Sequence, residues 1–212
     1  MDPAGDNYIL KNKKILSYDS EIMDLNYYLN LYDRKPINYT RHFDMVYTLP
    51  FLDKDFCKEL LTEIKHIEKN YKYKGSIDEH ISVRSPELKI ANVCPRLNKH
   101  LIERVCAFGN PFFEKCFDTP IQSGTVHVTK YDKDWSGNEH TDLCDVSVLV
   151  SLNDDFEGGG TEFKGGVIRP LPIGSALVFP SYITRHKGLS ITRGNRYLLV
   201  FWLNRTLKGI MR

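Results

Sequence analysis

A histidine and an aspartate stand two residues apart in His140-Thr141-Asp142, and a further histidine, His186, follows well along the chain. In an extended segment residues i and i+2 project to the same side, so His140 and Asp142 can reach one metal ion from adjacent positions. With His186 they would place two imidazoles and one carboxylate on one face of the ion, leaving the opposite face open. Non-haem Fe(II) takes that ligand set where a chelating co-substrate and O2 must also bind. The chain has seven histidines, and a single histidine is more often a surface or hydrogen-bonded core residue than a ligand. The combination, not any one member, points to a metal.

Ten positions after His186 comes Arg196, in the run His186-Lys-Gly-Leu-Ser-Ile-Thr-Arg-Gly-Asn-Arg196. A 2-oxoglutarate molecule that chelates iron through its ketone and one carboxylate needs a fixed cation for its far carboxylate. The planar fork of arginine suits that carboxylate bidentately. On a strand, Arg196 would share its face with Leu198 and Val200 and so enter an apolar interior; the other reading is a surface arginine on an edge strand. Cys144 follows Asp142 closely and reads as an oxidation-prone bystander, and His127 reads as structural. The five cysteines, Cys57, Cys94, Cys106, Cys116 and Cys144, include no Cys-x-x-Cys pair. That spacing argues against a zinc ribbon or thioredoxin-like site, and the odd count leaves at least one thiol free or paired between chains.

These residues need a scaffold, and the chain changes character on the way to them. Residues 1–45 read as an irregular, tyrosine-rich arm with one short helix near 20–31. The remaining residues, 46–212, read as one domain, with a helical part over 50–120 and a β core over 121–205. Asp53 is a plausible N-cap for a helix to about Lys69, whose apolar stripe is Phe56, Leu60, Ile64 and Ile67. A loop is expected through Gly75. A second helix is expected from Asn98 to Phe108, burying Leu101, Ile102, Val105 and Phe108, with Gly109 ending it. From Gly124 the pattern is of short strands. Val126 and Val128 alternate with His127 and Thr129; Val146, Val148, Val150 and Leu152 alternate with Ser147, Leu149 and Ser151; Leu177–Phe179 and Arg196–Leu203 follow. Helices first and many short strands afterwards imply an α+β domain whose β part is a sandwich or barrel.

Bulk properties exclude several classes. A formal net charge of +2, without a basic run, gives no case for nucleic acid. No stretch of apolar residues is long enough for a transmembrane segment. The first residues, Met1 to Lys14, lack a basic start followed by an apolar stretch and do not read as a secretory signal. Two glycosylation acceptors, Asn38-Tyr39-Thr40 and Asn204-Arg205-Thr206, fit a secretory route, so the compartment stays open.

At the metal motif the chain resembles the 2-oxoglutarate-dependent prolyl and lysyl hydroxylases, and most of all the procollagen lysyl hydroxylases. The family pattern of His-x-Asp, a later His and a basic residue ten positions on maps onto His140, Asp142, His186 and Arg196. Prolyl 4-hydroxylases usually place Lys where this chain has Arg196, whereas lysyl hydroxylases place Arg there. The lysyl branch is also favoured by Glu157-Gly-Gly-Gly160 followed by Thr161-Glu-Phe163, by His186-Lys-Gly-Leu189, and by Arg193-Gly-Asn-Arg-Tyr197. Upstream, Leu49-Pro-Phe-Leu52, Phe56-Cys-Lys-Glu-Leu60 and Asn92-Val-Cys-Pro95 are similar to the same domain, so the resemblance covers residues 46–203.

The resemblance implies a double-stranded β-helix (jelly-roll) core flanked by N-terminal helices, and a homodimer. It implies Fe(II) held by His140, Asp142 and His186, 2-oxoglutarate anchored by Arg196, and O2 and ascorbate as the other requirements. Tyr131 and Ser147 are further candidates for holding the co-substrate; Leu149 stands where lysyl hydroxylases use an Asn for that purpose. The implied reaction is hydroxylation of lysine at C5 in collagen-like Xaa-Lys-Gly polypeptide, and the implied compartment is the endoplasmic reticulum lumen. Asp145 and the loop Asp154-Asp155-Phe156-Glu157 are candidates for meeting the lysine charge, with a solvated acidic turn as the alternative for the loop. The competing readings are a prolyl or other protein hydroxylase and a non-catalytic jelly-roll interaction domain. A cupin-like enzyme without 2-oxoglutarate and a nucleic-acid demethylase fit less well. The glycosyltransferase modules of full-length lysyl hydroxylases have no counterpart here.

Overall fold

In the computed structural model of the chain, residues 10–12, 15, 38–69, 74–75, 86–118, 120–133, 135 and 137–205 are described. The helix predicted near 20–31 lies outside them. Helix α1 spans Lys54–Ile67 and starts as the sequence predicts: the Asp53 carboxylate accepts from the backbone N–H groups of Asp55 and Phe56 at 2.8 and 3.0 Å. Such a cap satisfies donors the first helical turn cannot bond internally. The predicted stripe of Phe56, Leu60, Ile64 and Ile67 is buried.

A short turn of helix, α2 (Ile90–Val93), leads into α3, Pro95–Phe117. This helix runs well past the expected stop at Gly109. Gly109 serves packing instead of termination, since a Cβ there would fall 2.5 Å from the Phe113 ring. The helix ends at Asp118, which takes the left-handed conformation (φ 53°) and donates its N–H to the Glu114 carbonyl. The expected buried positions Leu101, Ile102 and Val105 lie in the core.

Eight strands form one antiparallel sheet. They are β1 (Thr40–Phe43), β2 (Val46–Pro50), β3 (Lys74–Gly75), β4 (Pro86–Lys89), β5 (Ile121–Tyr131), β6 (Val146–Ser151), β10 (Ser175–Pro180) and β13 (Arg196–Arg205), in the order β1-β2-β10-β6-β13-β5-β4-β3. The segment before Gly75, expected as loop, thus supplies an edge pairing of Lys74 with Glu87. A smaller layer consists of β8 (Thr161–Phe163), β9 (Gly166–Ile168) and β11 (His186–Gly188), ordered β11-β8-β9. Beside it lies the pair formed by β7 (Glu157–Gly158) and β12 (Ile191–Arg193).

Register explains how the layers divide the side chains. Val200 lies opposite both His127 and Leu149, and Leu198 opposite both Thr129 and Ser151. Directly opposed residues share a face. One face of the large sheet therefore carries Arg196, Leu198, Val200, Tyr131, Leu149, Leu177 and Phe179. With Phe163 and Ile168 of the small layer, the apolar members of this face form one core cluster. The other face carries Val126, Val128, Val148, Val150, Leu199 and Phe201 and packs with the residues of α1 and α3 in a second cluster. Every residue of β6 is buried, so the polar positions His127, Thr129, Ser147 and Ser151, which alternate with valines in sequence, face the space between layers and not solvent. That is a jelly-roll sandwich with helices on one side.

Candidate functional site

The backbone brings His140 and His186 together. His140 N donates to the His186 carbonyl at 2.9 Å, and His186 N donates back at 2.8 Å, so the two residues form an isolated antiparallel bridge. His140 lies in the connection between β5 and β6, and His186 opens β11. Their rings lie on one face, with centroids 4.4 Å apart. A surface ion pair from Arg185 to Glu139, 3.0 Å, ties the same two segments.

Hydrogen bonding sets which imidazole nitrogen is available. Nδ1 of His140 bonds the Asn138 carbonyl at 2.9 Å, and Nδ1 of His186 bonds the Thr184 carbonyl at 3.1 Å. A carbonyl can only accept, so each Nδ1 carries the proton and each Nε2 keeps its lone pair in the neutral ring. Both Nε2 atoms face Asp142, at 3.5 Å from Oδ1 for His140 and 3.7 Å from Oδ2 for His186. The three ligand atoms lie within 4.8 Å of one another. A backbone carbonyl behind each ring is the arrangement that holds a metal-binding histidine in its tautomer and orientation.

Asp142 is held from behind. Ser147 Oγ donates to its Oδ2, and Ser147 in turn lies 2.7 Å from Ser181 Oγ, which lies 3.1 Å from Cys144 Sγ. All four residues are buried. Burial acts to raise the Asp142 pKa, but in the metal-free site the His140 ring, which in its protonated form donates through Nε2, the attraction of His186 and the hydrogen bond from Ser147 outweigh it and hold the carboxyl below its ordinary value. For His140, burial works against protonation and the partnership with Asp142 and Asn138 overcomes it, so its pKa is raised. His186 is more deeply buried, and burial wins there over the attraction of Asp142, so its pKa is lowered. Burial pushes the Cys144 thiol up to about 11, which leaves it a neutral thiol and no competitor as ligand.

The ligands open on a cleft. Besides the three ligands it is lined by Glu87, Thr129, Tyr131, Trp135, Leu149, Thr161, Gly188, Val200 and Trp202. Gly188 lets Tyr131 lie close, since a Cβ there would be 2.6 Å from the Tyr131 ring. Burial raises the Tyr131 pKa to about 12 against the opposing charge of Arg196, so its hydroxyl stays protonated and able to donate. Arg196 is buried with its guanidinium carbon 5.3 Å from the Tyr131 ring centre. It lies beside Tyr131 and is not itself among the residues lining the cleft. One guanidinium N–H group donates to the Gly160 carbonyl at 2.9 Å, while Nε has no hydrogen-bond partner among the described residues.

Some sequence candidates fall elsewhere. Ser147 touches the metal-ligand carboxylate, where it orients Asp142, and does not line the cleft. Asp145 is committed to Arg205, accepting from its backbone N–H at 2.9 Å and its guanidinium at 3.0 Å. Glu157 pairs with Arg193, and Asp155 accepts from Asn153. None of these acids lines the cleft. The acid that does, Glu87, sits on β4, where no motif marked it.

The donor set fits a divalent iron: two neutral imidazoles and a carboxylate held ionised, converging beside an open cleft. The buried, partly unsatisfied guanidinium of Arg196 fits a carboxylate-bearing co-substrate. No family model matches the chain. It is 28% identical over 183 residues to procollagen-lysine,2-oxoglutarate 5-dioxygenase 1 of Mus musculus, covering 75% of this chain and 24% of that protein. It is 27% identical over 175 residues to 2-oxoglutarate and iron-dependent oxygenase domain-containing protein 2 of Danio rerio, covering 74% of this chain and 49% of that protein. The chain thus spans about a quarter of the length of the procollagen-lysine hydroxylases it matches. Its fold is that of a Trichoplax adhaerens prolyl hydroxylase solved with a peptide fragment of hypoxia inducible factor, at a TM-score of 0.61, 16% identity and 95% coverage of both chains. In sequence the chain is similar to iron- and 2-oxoglutarate-dependent hydroxylases, and its resemblance to the procollagen lysine hydroxylases holds; in fold it is similar to prolyl hydroxylases.

Proposed function

We propose that this chain hydroxylates lysine at C5 in collagen-like Xaa-Lys-Gly sequence. The observation that carries the reading is the convergence of His140, Asp142 and His186, correctly tautomerised and backed by carbonyls, at the wall of an open cleft. When bound, iron and 2-oxoglutarate supply the oxidising power: one atom of O2 enters a C–H bond and the other ends in succinate, with CO2 released. The protein's share is positioning. His140, Asp142 and His186 hold the metal, and Ser147 keeps the Asp142 carboxylate in place. Arg196 offers the fixed charge for the far carboxylate of 2-oxoglutarate, with Tyr131 beside it; Leu149, apolar where lysyl hydroxylases have Asn, contributes shape alone. The apolar walls from Leu149, Val200 and Trp202 keep water from the reacting carbon. Ascorbate maintains the ferrous state, and the enzyme acts as a homodimer.

The test is mass spectrometry of a collagen-like Xaa-Lys-Gly peptide incubated with the protein, Fe(II), 2-oxoglutarate and ascorbate, with succinate followed in parallel. The expected result is one added oxygen on lysine, lost when His140 or Asp142 is replaced. Oxidation of a proline-rich peptide in place of the lysine peptide would reassign the substrate, and no succinate from iron-loaded protein would overturn the reading.

A further inference from the structure

The cleft contains a carboxylate that metal binding does not use. Glu87 lies opposite Thr129, which lies opposite Leu198, so its side chain joins the face that carries the site. It is 7% exposed and lines the cleft, and its Oε2 has no hydrogen-bond partner among the described residues. The nearest basic atom is Nδ1 of His127 at 3.5 Å, which also lacks a hydrogen bond; the other nitrogen of that ring is taken by Thr125 Oγ1 at 2.9 Å. Among the described residues, no lysine or arginine lines the cleft. A carboxylate withdrawn from water without a full complement of donors is costly, and a site keeps one where a ligand completes it.

We propose that Glu87 is the specificity-determining residue that receives a primary ammonium group on the substrate side chain. This rests on the reading of the cleft as a peptide hydroxylase site. The surroundings suit an alkylammonium: Tyr131, Trp135 and Trp202 line the same cleft, and aromatic side chains favour a cation and bed its methylenes. A neutral isostere of the same length would keep the apolar contacts and leave Glu87 without a partner. Of the acidic residues that the sequence offers for this role, Asp145, Glu157 and Asp155 are engaged by Arg205, Arg193 and Asn153, and none of them, Asp154 included, lines the cleft.

Both tryptophans of the chain line the cleft, so intrinsic fluorescence reports on it directly, without catalysis. The experiment titrates the protein with a collagen-like peptide containing Xaa-Lys-Gly and with its twin carrying norleucine for lysine. The wild type is expected to bind the lysine peptide at least about tenfold more tightly, the scale of one charge-assisted hydrogen bond. Glu87→Gln should bring the ratio to about one, and Glu87→Asp should restore part of it. Equal binding of the two peptides by the wild type would overturn the proposal, even if no Glu87 variant folds. So would a lysine preference that persists in folded Glu87→Gln. Failure of the parent reading is separate: protein that prefers the lysine peptide yet forms no succinate with iron and 2-oxoglutarate keeps the ammonium site and loses the hydroxylase.

Discussion

The two faces of the large sheet are built by the same strands from alternate residues, and they solve different problems. The helix-facing side of β5, β6 and β13 presents valines, leucines and Phe201 to α1 and α3. The cleft-facing side interleaves Leu198, Val200 and Leu177 with His127, Thr129, Ser147, Ser151 and Arg196. Both sides are buried. Buried polar groups stabilise only when satisfied, and among the described residues three of the four unpartnered buried side-chain atoms, Arg196 Nε, His127 Nδ1 and Glu87 Oε2, are on the cleft side, while the fourth, His66 Nδ1, is on α1. One face therefore carries the stability of the sandwich, while the other holds back hydrogen-bonding capacity for ligands. Substitutions on the two faces should then separate fold from chemistry.

The strongest separation comes from Asp142→Ala. It removes the central ligand carboxylate and leaves two imidazoles, so metal binding by calorimetry should fall by more than about a hundredfold, since even outer-shell losses reach that figure. The protein should stay folded by circular dichroism. The reverse dissociation comes from Phe201→Ala on the helix face, where a ring packed edge-on against Phe51 is lost. Its expected cost is about 3–5 kcal/mol in denaturant unfolding, with metal affinity of the folded fraction unchanged. Equal loss of metal binding in the two variants would mean that the faces are not independent.

Acid should act on the cleft face alone at first. The His140 pKa is raised and that of Asp142 lowered, so on acidification His140 is the ligand that takes a proton while Asp142 stays charged. The raised pKa stabilises the metal-free fold at low pH, and that contribution is lost as pH rises through the folded value. Metal binding follows the opposite sign: it is complete above that value and falls about tenfold per pH unit below it as one proton competes. The decline should begin above the ordinary imidazole value of about 6.5, measured as metal affinity between pH 8 and pH 5. A decline beginning well below that value would mean that His186, whose pKa is lowered, is the competing ligand.

The two faces also explain what could be read in advance. The Asp53 cap and the stripe of α1 follow from local chemistry, and so does the pairing of His140 with Asp142. What closes the site is long-range: the backbone bridge of His140 to His186, and the committed pair of Asp145 with Arg205. Alternation in β5 and β6 announced strands but not the burial of both faces, because sequence shows polarity and not whether a second layer covers the polar side. Gly109 looked like a helix end because nothing local announces the Phe113 ring beside it. Glu87 was missed because β4 is too short to show a pattern.

Within the cleft face, replacing Arg196 by Met tests the charge without leaving a large cavity. The requirement for 2-oxoglutarate should rise about ten- to a hundredfold, the range for losing a charge-assisted bond, while metal affinity holds. Unchanged co-substrate dependence would remove Arg196 from its assigned role. Ser147→Ala should give the smallest effect and the most discriminating one. Ser147 does not line the cleft, but its hydroxyl fixes Asp142 Oδ2 and connects it to Ser181. Loss of that hydroxyl should weaken metal binding about tenfold, at the low end for groups that orient a ligand, and leave the 2-oxoglutarate requirement of metal-saturated protein unaltered. If the co-substrate requirement rises instead, Ser147 contacts 2-oxoglutarate as the sequence suggested. The division would then run through Ser147 itself, with one hydroxyl serving metal and co-substrate together.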